Sequence, residues 1–368
     1  MKKYIAMFLL LSLLLCGCGA EPVETTAPPT TQMADTEPVT EAPVTQPTTQ
    51  PATEPATEAP TEPVVYTNAL TGEILEAPMD SRSFAVTINN IPGAMPMYGV
   101  SKADLFFEMF VNGYCTRGLA MFADIREVSA VGSIRSLRYN FTDLCQTYDA
   151  IVAHASGSNQ VMADLRASGV PNINVEGEGS GYYFRDQNRL NAGYAWEHCL
   201  FAKGPEIRDY AESKGLRVTR DENADYGLRF AQDGTPEGET AEKVTIHMKH
   251  DGATKTTVMV YSHDEGSYQF QQYGKAVYDD AEKQYIYFEN VIVMLCKVRN
   301  EDVYHVAELV GSGEGYFACG GKIIPIRWTH ESMDVPILFT LTDGTPLQLG
   351  VGSSYIAIAP LASVVEFE

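Results

Sequence analysis

The chain has 368 residues and a formal net charge of −22, and 45% of its residues are hydrophobic. Such an acidic chain argues against nucleic acid and against an anionic bilayer surface as partners, because both carry negative charge. The five cysteines beyond residue 18 are odd in number and widely spaced, which excludes a disulfide scaffold and a zinc ribbon.

The first 17 residues have the pattern of a bacterial secretion signal. A short basic start precedes an apolar run at 4–15, which is too short to span a membrane comfortably. The sequence Leu-Cys-Gly-Cys at 15–18 resembles the lipobox of bacterial lipoproteins, which implies lipid attachment on Cys18. More than one acyl chain would anchor the protein firmly to the outer face of the bacterial cell membrane. The alternative is an ordinary signal peptide with an incidental cysteine.

Residues 18–64 form a linker rich in threonine, proline and glutamate. It holds ten of the chain's 20 prolines and has no lysine or arginine. Such a segment buries too little apolar surface to offset the entropy of ordering, so we predict that it is disordered. It would serve either as a spacer through the cell wall or as a solubilising tether.

Residues 65–227 are predicted to form an α/β domain. Short apolar segments that end in turn-forming residues indicate strands, and segments with apolar residues three or four positions apart indicate helices. Pro205 stands in the first turn of the last predicted helix, a position that proline favours. The predicted strands are 83–90, 105–111, 118–122 and 150–154, the predicted helices are 159–167 and 205–214, and the predicted loop is 177–191.

The segment 131–138 is the strongest candidate site in the sequence. We predict a loop that delivers Arg135 and Arg138 to the start of a helix, because apolar residues recur every three or four positions from Ile134 to Tyr148. The first turn of a helix has unpaired N–H groups and a partial positive charge. Two guanidinium groups beside it would therefore form a binding site for an anion.

Arginine is the only strongly basic residue type over a long stretch of this domain. Seven arginines and no lysine lie between 103 and 202, and arginine is preferred where planar, bidentate contacts to carboxylate or phosphate are needed. These arginines would either form internal ion pairs or line an anion-binding cleft. The acidic candidates for internal pairs are Asp104, Glu108, Asp143 and Asp186. The candidate ligand-binding residues are Arg117, Arg135, Ser136, Arg138, Arg185 and Arg189.

Four residues are candidates for catalysis. Asp104 and Glu108 lie four positions apart on one face of a predicted strand and would resemble a carboxylate pair that acts on a sugar bond. His154 and His198 would form a hydrolytic site with Ser156, although the Gly-x-Ser-x-Gly motif is missing. No group of residues has the spacing of a zinc site or a calcium loop, so we predict neither a metal nor a cofactor.

Residues 240–368 change to short alternating segments and are predicted to form a mostly antiparallel β domain. We interpret 311–315 as a hairpin turn, because it lacks the lysine and the following helix of a phosphate-binding loop. His247 and His250 lie three positions apart on a predicted strand, so they point to opposite faces and form no local chelate. The predicted strands are 244–248, 256–261, 268–272, 285–288, 290–298 and 303–310.

Several motifs, taken in order, resemble a known family. They include Asn89-Asn90, Thr116-Arg117, the segment 131–138, and Phe184-Arg185-Asp186 with Arg189. Over about residues 80–365 the chain resembles the YerB-like bacterial lipoproteins, which are built from N-terminal and C-terminal domains of unknown function. In the family pattern the arginine segment is Val-Gly-Pro-Val-Arg-Ser-Ala-Arg, so Arg135, Ser136 and Arg138 match it and Ser133 replaces the proline. The resemblance implies no particular reaction.

These observations favour an α/β N-terminal domain followed by a mostly antiparallel β C-terminal domain, on a disordered stalk lipidated at Cys18. We expect a non-catalytic lipoprotein of the cell envelope that binds an anionic partner through an arginine-rich cleft. Such a partner would be a wall glycan, a phosphate polymer or a protein carboxylate. One alternative is a hydrolase that acts on a cell-wall or surface polymer, and another is a scaffold that binds an envelope protein.

Overall fold

The N-terminal and C-terminal halves of the folded chain share one large β-sheet. The computed structural model describes residues 65–177 and 179–368. The described residues belong to one compact unit, and none of their helices is long and apolar enough to cross a membrane. The predicted signal peptide, the lipidation site at Cys18 and the linker at 18–64 lie outside the described residues.

The large sheet has 11 strands. At its centre, Ser354–Pro360 from the C-terminal half pairs in parallel with Leu105–Asn112 from the N-terminal half. The two halves are therefore joined by backbone hydrogen bonds. From one edge to the other the order is Glu239–Thr240, Lys322–His330, Gly311–Cys319, Asn290–Cys296, Ser354–Pro360, Leu105–Asn112, Cys115–Phe122, Phe84–Asn90, Ile151–His154 and Asn172–Asn174, with Leu338–Leu341 paired to Lys322–His330.

A smaller sheet from the C-terminal half covers one face of the large sheet. Phe106 of the large sheet packs against Phe270 of the smaller one, with ring centroids 5.8 Å apart. The apolar residues between the two sheets form a continuous buried core. The strand order of the smaller sheet is Lys275–Ala276, Ser267–Gln272, Ala253–Ser262, Lys243–His250 and Val364–Phe367, with Tyr287–Phe288 paired to Ser267–Gln272.

Two helices cover the opposite face of the large sheet. These are α1, Tyr139–Thr147, and α2, Asn159–Ser168. Phe141 and Leu144 of α1 are fully buried in a second apolar core, together with Leu119 of the sheet. The apolar stripe predicted along this helix therefore does face the core. The other α-helices of the described residues are α3, Gln187–Asn191, and α4, Gly204–Ser213.

Shorter elements connect these layers. A three-stranded sheet has the order Val131–Gly132, Leu200–Ala202 and Tyr183–Arg185. The two-stranded pairs are Tyr66–Thr67 with Ile74–Leu75, Phe230–Ala231 with Leu349–Gly350, Tyr278–Asp279 with Gln284–Tyr285, and Val298–Glu301 with Tyr304–Ala307. The 3₁₀-helices are Pro92–Ala94, Val100–Lys102, Ile125–Glu127 and Trp196–His198.

The predicted fold class is confirmed, with helices confined to the N-terminal part and a mostly antiparallel β C-terminal part. The domain boundaries at 227 and 240 stay a prediction. Three element predictions are wrong, and the first two concern the N-terminal part. The helix expected from Ile134 begins only at Tyr139, and the loop expected at 177–191 contains the strand Tyr183–Arg185 and α3.

The glycine-rich segment 311–315 is not a turn but the first half of a strand, Gly311–Cys319. Its glycines are explained by close packing. A Cβ atom at Gly315 would lie 2.1 Å from the carbonyl oxygen of Val293, and one at Gly313 would lie 2.5 Å from the indole nitrogen of Trp328. Larger residues would therefore force the neighbouring strands apart.

The five cysteines of the described residues are free thiols. Cys115 is half-buried and the other four are buried. The four buried cysteines act as small apolar core residues.

Candidate functional site

The segment 131–138 runs in extended form across the ends of two parallel strands of the large sheet. The Arg135 amide donates to the Thr87 carbonyl at 3.0 Å, and the Arg135 carbonyl accepts from the Ala155 amide at 3.0 Å. These backbone groups are bonded to the sheet, so the chain cannot turn into a helix until after Arg138. The start of the helix, where N–H groups lack helical partners, therefore lies at Arg138 and not earlier in the segment.

Three arginine side chains lie together beside this segment, Arg117, Arg135 and Arg138, and we call them the arginine cluster. Arg117 lies opposite Asn89 on the neighbouring strand and is only 5% exposed. Its Nη1 donates a hydrogen bond to the Ser136 carbonyl at 2.6 Å. Ser136, also predicted as a site residue, thus contributes its backbone and is half-buried.

Arg138 joins the arginine cluster to the C-terminal half of the chain. Its guanidinium group lies over the ring of Tyr304, 5.1 Å from the ring centroid. A cation–π contact of this kind contributes about 0.5–2 kcal/mol. The sequence prediction missed Tyr304, because no local pattern connects it to an arginine 166 positions earlier in the chain.

The arginine cluster forms no ion pair with the acidic residues that the structure describes. In the described part of the chain, no carboxylate oxygen lies within 4.0 Å of its three guanidinium groups. The Nε atom of each arginine is buried and has no hydrogen-bond partner within 65–177 and 179–368. Burial and the charges of Arg138 and Arg135 lower the pKa of Arg117 well below its ordinary value, and burial lowers the pKa of Arg138. Because arginine stays protonated in proteins, the cluster carries an unfavourable electrostatic energy that a bound anion would reduce.

The other two predicted arginines are held by internal contacts. Arg185 pairs with Glu176 and stacks on Trp196, with its guanidinium carbon 4.0 Å from the ring centroid. Arg189 is 5% exposed and lies 3.9 Å from Asp186. Its guanidinium donates to three backbone carbonyls, those of Ala94, Pro96 and His198. These two arginines therefore fit the internal-pair interpretation that the sequence left open.

Glu108 is fully buried between the two sheets. Its Oε1 lies 2.6 Å from the Nζ of Lys255, which is 4% exposed. Burial alone would raise the pKa of Glu108, but the Lys255 charge and the hydrogen bonds outweigh it and hold the pKa below its ordinary value. A substrate has no access to this carboxylate, so the pair joins the sheets. The remaining donors to Glu108 are Asn90, Thr116, Thr257, Gln272 and Tyr355.

Asp104 immediately precedes the same strand and lies in a different environment. It accepts hydrogen bonds from Asn68 Nδ2 at 2.6 Å and from the Ala123 amide at 2.7 Å. Burial raises its pKa to about 6. Four residues of strand separate the Asp104 and Glu108 backbones by roughly 13 Å. That separation exceeds the distance between the carboxyl groups of a glycosidase pair.

The two candidate histidines also lie in separate surroundings. His154 is fully buried, with Nδ1 3.0 Å from the Ser156 carbonyl and Nε2 3.3 Å from Asn172 Oδ1. His198 is 8% exposed and its Nδ1 accepts a hydrogen bond from Asn89 at 2.8 Å. Burial lowers the pKa of both, and the nearby charge of Arg135 contributes at His198. His198 therefore borders the arginine cluster as a neutral polar group.

Two family models match the chain. The N-terminal domain of DUF3048, a protein of unknown function, matches residues 70–217, and the C-terminal domain of DUF3048 matches residues 244–356. A curated protein of Bacillus subtilis (strain 168) named "Putative lipoprotein YerB" is 25% identical over 288 residues, which cover 76% of this chain and 82% of that protein.

A solved structure has the same fold. The crystal structure of YerB protein from Bacillus subtilis superposes with a TM-score of 0.70 at 23% sequence identity. The match covers 82% of this chain and 99% of that chain. The arrangement of the sheets described above is therefore shared with that protein.

Proposed function

The chain belongs to the DUF3048 family, whose function is unknown, and we propose a function from its structure. The arginine cluster binds an anionic group of an envelope polymer or protein. The chain acts as a binder and not as an enzyme. One observation carries the proposal. Three guanidinium groups lie together with buried Nε donors unpaired, and no carboxylate of the described residues lies within ion-pair distance of them.

The chemistry of the site favours an oxyanion. Guanidinium groups bind carboxylate and phosphate through parallel hydrogen bonds, and they do so best where water is excluded. Arg117 is buried and Arg135 and Arg138 are half-buried, so an anion there would meet several charge-assisted donors at reduced dielectric. A phosphate polymer, an acidic wall glycan and a protein carboxylate all present such a group.

The proposed location is the outer face of the bacterial cell membrane. The lipobox-like sequence that ends at Cys18 supports it, and so does the word lipoprotein in the name of the Bacillus relative. The linker at 18–64 would hold the folded part away from the membrane.

Ligand-dependent stabilisation tests the proposal. Residues 65–368, expressed as a soluble protein, are unfolded by heat with and without pyrophosphate, polyphosphate or wall fragments. A ligand at a hundred times its dissociation constant should stabilise the fold by about 2.7 kcal/mol. Arg135→Gln and Arg138→Gln should abolish this shift. Arg229→Gln should keep it, because Arg229 is half exposed and paired with Asp225 at 2.9 Å.

The other functions predict different results. A hydrolase would release product from a wall polymer and would lose that activity with one carboxylate or histidine change. A protein scaffold would bind an envelope protein without any response to small anions. Equal shifts in wild type and in both arginine variants would contradict the proposal.

A further inference from the structure

Two histidines and an aspartate from distant parts of the sequence meet beside the turn at Gly113. His250 is the last residue of the strand Lys243–His250, and Asp251 follows it in the turn. His305 lies on the strand Tyr304–Ala307. One imidazole nitrogen or carboxylate oxygen from each of the three lies within 4.8 Å of the others. Imidazole and carboxylate in this combination are ligands for transition metals.

The side chain of Asn300 lies within the same group. Its Oδ1 is 2.9 Å from His250 Nε2 and 2.8 Å from His305 Nδ1, and its Nδ2 donates to Asp251 Oδ2. His250 Nε2 is 3.6 Å from Asp251 Oδ2. Ligand atoms around a tetrahedral zinc ion lie about 3.4 Å apart. The observed separations lie on both sides of that value, so small side-chain movements would complete the coordination.

Among the described residues, both ring nitrogens of His305 face hydrogen-bond acceptors. Its Nδ1 faces the Asn300 carbonyl oxygen, and its Nε2 faces the Gly113 carbonyl at 3.3 Å. Both nitrogens thus face acceptors, whereas a neutral imidazole has only one N–H. If Nε2 donates to Gly113, Nδ1 carries a lone pair that faces the Asn300 oxygen, within the group formed with His250 and Asp251. Metal-bound histidines have this arrangement, in which the second nitrogen donates to a backbone carbonyl.

We propose that His250, Asp251 and His305 bind one divalent transition-metal ion of the zinc class, with Asn300 Oδ1 or a water as the fourth ligand. Neutral imidazole excludes Mg²⁺ and Ca²⁺ as preferred occupants, because these ions select oxygen ligands. The bound ion would tie the smaller sheet to the hairpin at 298–307. One of its ligands, His305, directly follows Tyr304 in the chain. Metal binding at this site does not depend on the arginine cluster.

Zinc titration of residues 65–368 tests the proposal. Calorimetry with a competing chelator should give one Zn²⁺ per chain, and Co²⁺ in its place should show the visible absorption of a tetrahedral site. His305→Gln and Asp251→Asn should each weaken zinc binding at least tenfold. Asp251→Asn keeps the fold, because Asp251 has a φ of 46° and asparagine tolerates that conformation. Mg²⁺ at millimolar concentration should not compete.

His263→Gln is the matched control, since the His263 side chain is 76% exposed and contacts only one carboxylate of the described residues, Glu242 at 2.9 Å. It should bind zinc as the wild type does. The proposal is overturned if zinc does not saturate at one per chain, or if both site variants bind with wild-type affinity. It is also overturned if His263→Gln weakens binding as much as they do.

Discussion

Replacing Arg117 by methionine tests whether the arginine cluster is built for a ligand. Methionine resembles the arginine stem and would fill the same buried channel. The change removes a guanidinium charge that is 5% exposed and lacks a carboxylate partner among the described residues. We therefore expect Arg117→Met to stabilise the protein when no anion is bound.

The expected gain is the difference between two opposing effects. Losing the hydrogen bond from Arg117 to the Ser136 carbonyl, 2.6 Å long, costs about 1.5–3 kcal/mol because its donor is charged. Removing a buried, unpaired charge relieves a desolvation penalty of several kcal/mol per ion. With roughly 4 kcal/mol for this penalty, the net stabilisation is about 1–2.5 kcal/mol.

Urea unfolding with and without pyrophosphate measures both effects. Wild type should gain about 2.7 kcal/mol at a hundred times the dissociation constant, whereas Arg117→Met should gain nothing. Arg189→Met is the matched control. Arg189 is equally buried, but it donates to three carbonyls and lies 3.9 Å from Asp186, so its loss should destabilise the protein. Destabilisation of Arg117→Met by 2 kcal/mol or more, together with a normal response to pyrophosphate, would refute the reasoning.

Three further predictions concern the scaffold. Glu108→Gln leaves the Lys255 charge buried without its partner and should cost about 3–5 kcal/mol in urea unfolding, and adding Lys255→Met should recover part of this loss. Asp104 has a pKa raised from 3.8 to about 6, so it contributes stability that is present below about pH 4 and is lost as the pH rises through 6. Asp104→Asn should remove that part of the pH dependence, and an unchanged profile would contradict the assignment. Residues 65–227 alone should show no cooperative unfolding by circular dichroism, because Leu105–Asn112 would lose its parallel partner.

Elements with a strong local pattern were predictable from the sequence. The strand Phe84–Asn90 and the helix α2 lie close to their predicted positions, since an apolar run and a helical period each determine them locally. The late start of α1 was not predictable. It depends on hydrogen bonds from 134–138 to strands far away in the sequence, which no local pattern records. The strand at 311–315 was missed for a similar reason. Its glycines are needed because neighbouring strands and the Trp328 side chain lie too close for a Cβ atom, and no local pattern records that packing.

The candidate site was predictable only in part. The lysine-free stretch pointed to arginine, and three of the five predicted arginines do lie together without an acidic partner among the described residues. The sequence could not show that Arg185 and Arg189 are held by their own surroundings, because their partners include a ring and backbone carbonyls. The histidine group around His305 was missed because its members lie on different strands. Spacing along one strand says nothing about such contacts.

The site depends on both regions that the family models separate. The three arginines belong to the region 70–217, but the ring that lies over Arg138 belongs to Tyr304 in the region 244–356. Tyr304 contributes a ring and no opposite formal charge, and Nη1 of Arg138 donates to the Leu137 carbonyl at 2.7 Å. The C-terminal region therefore orients one arginine without neutralising it. The buried pair of Glu108 and Lys255 joins the same two regions, so we expect the geometry of the arginine cluster to depend on both of them.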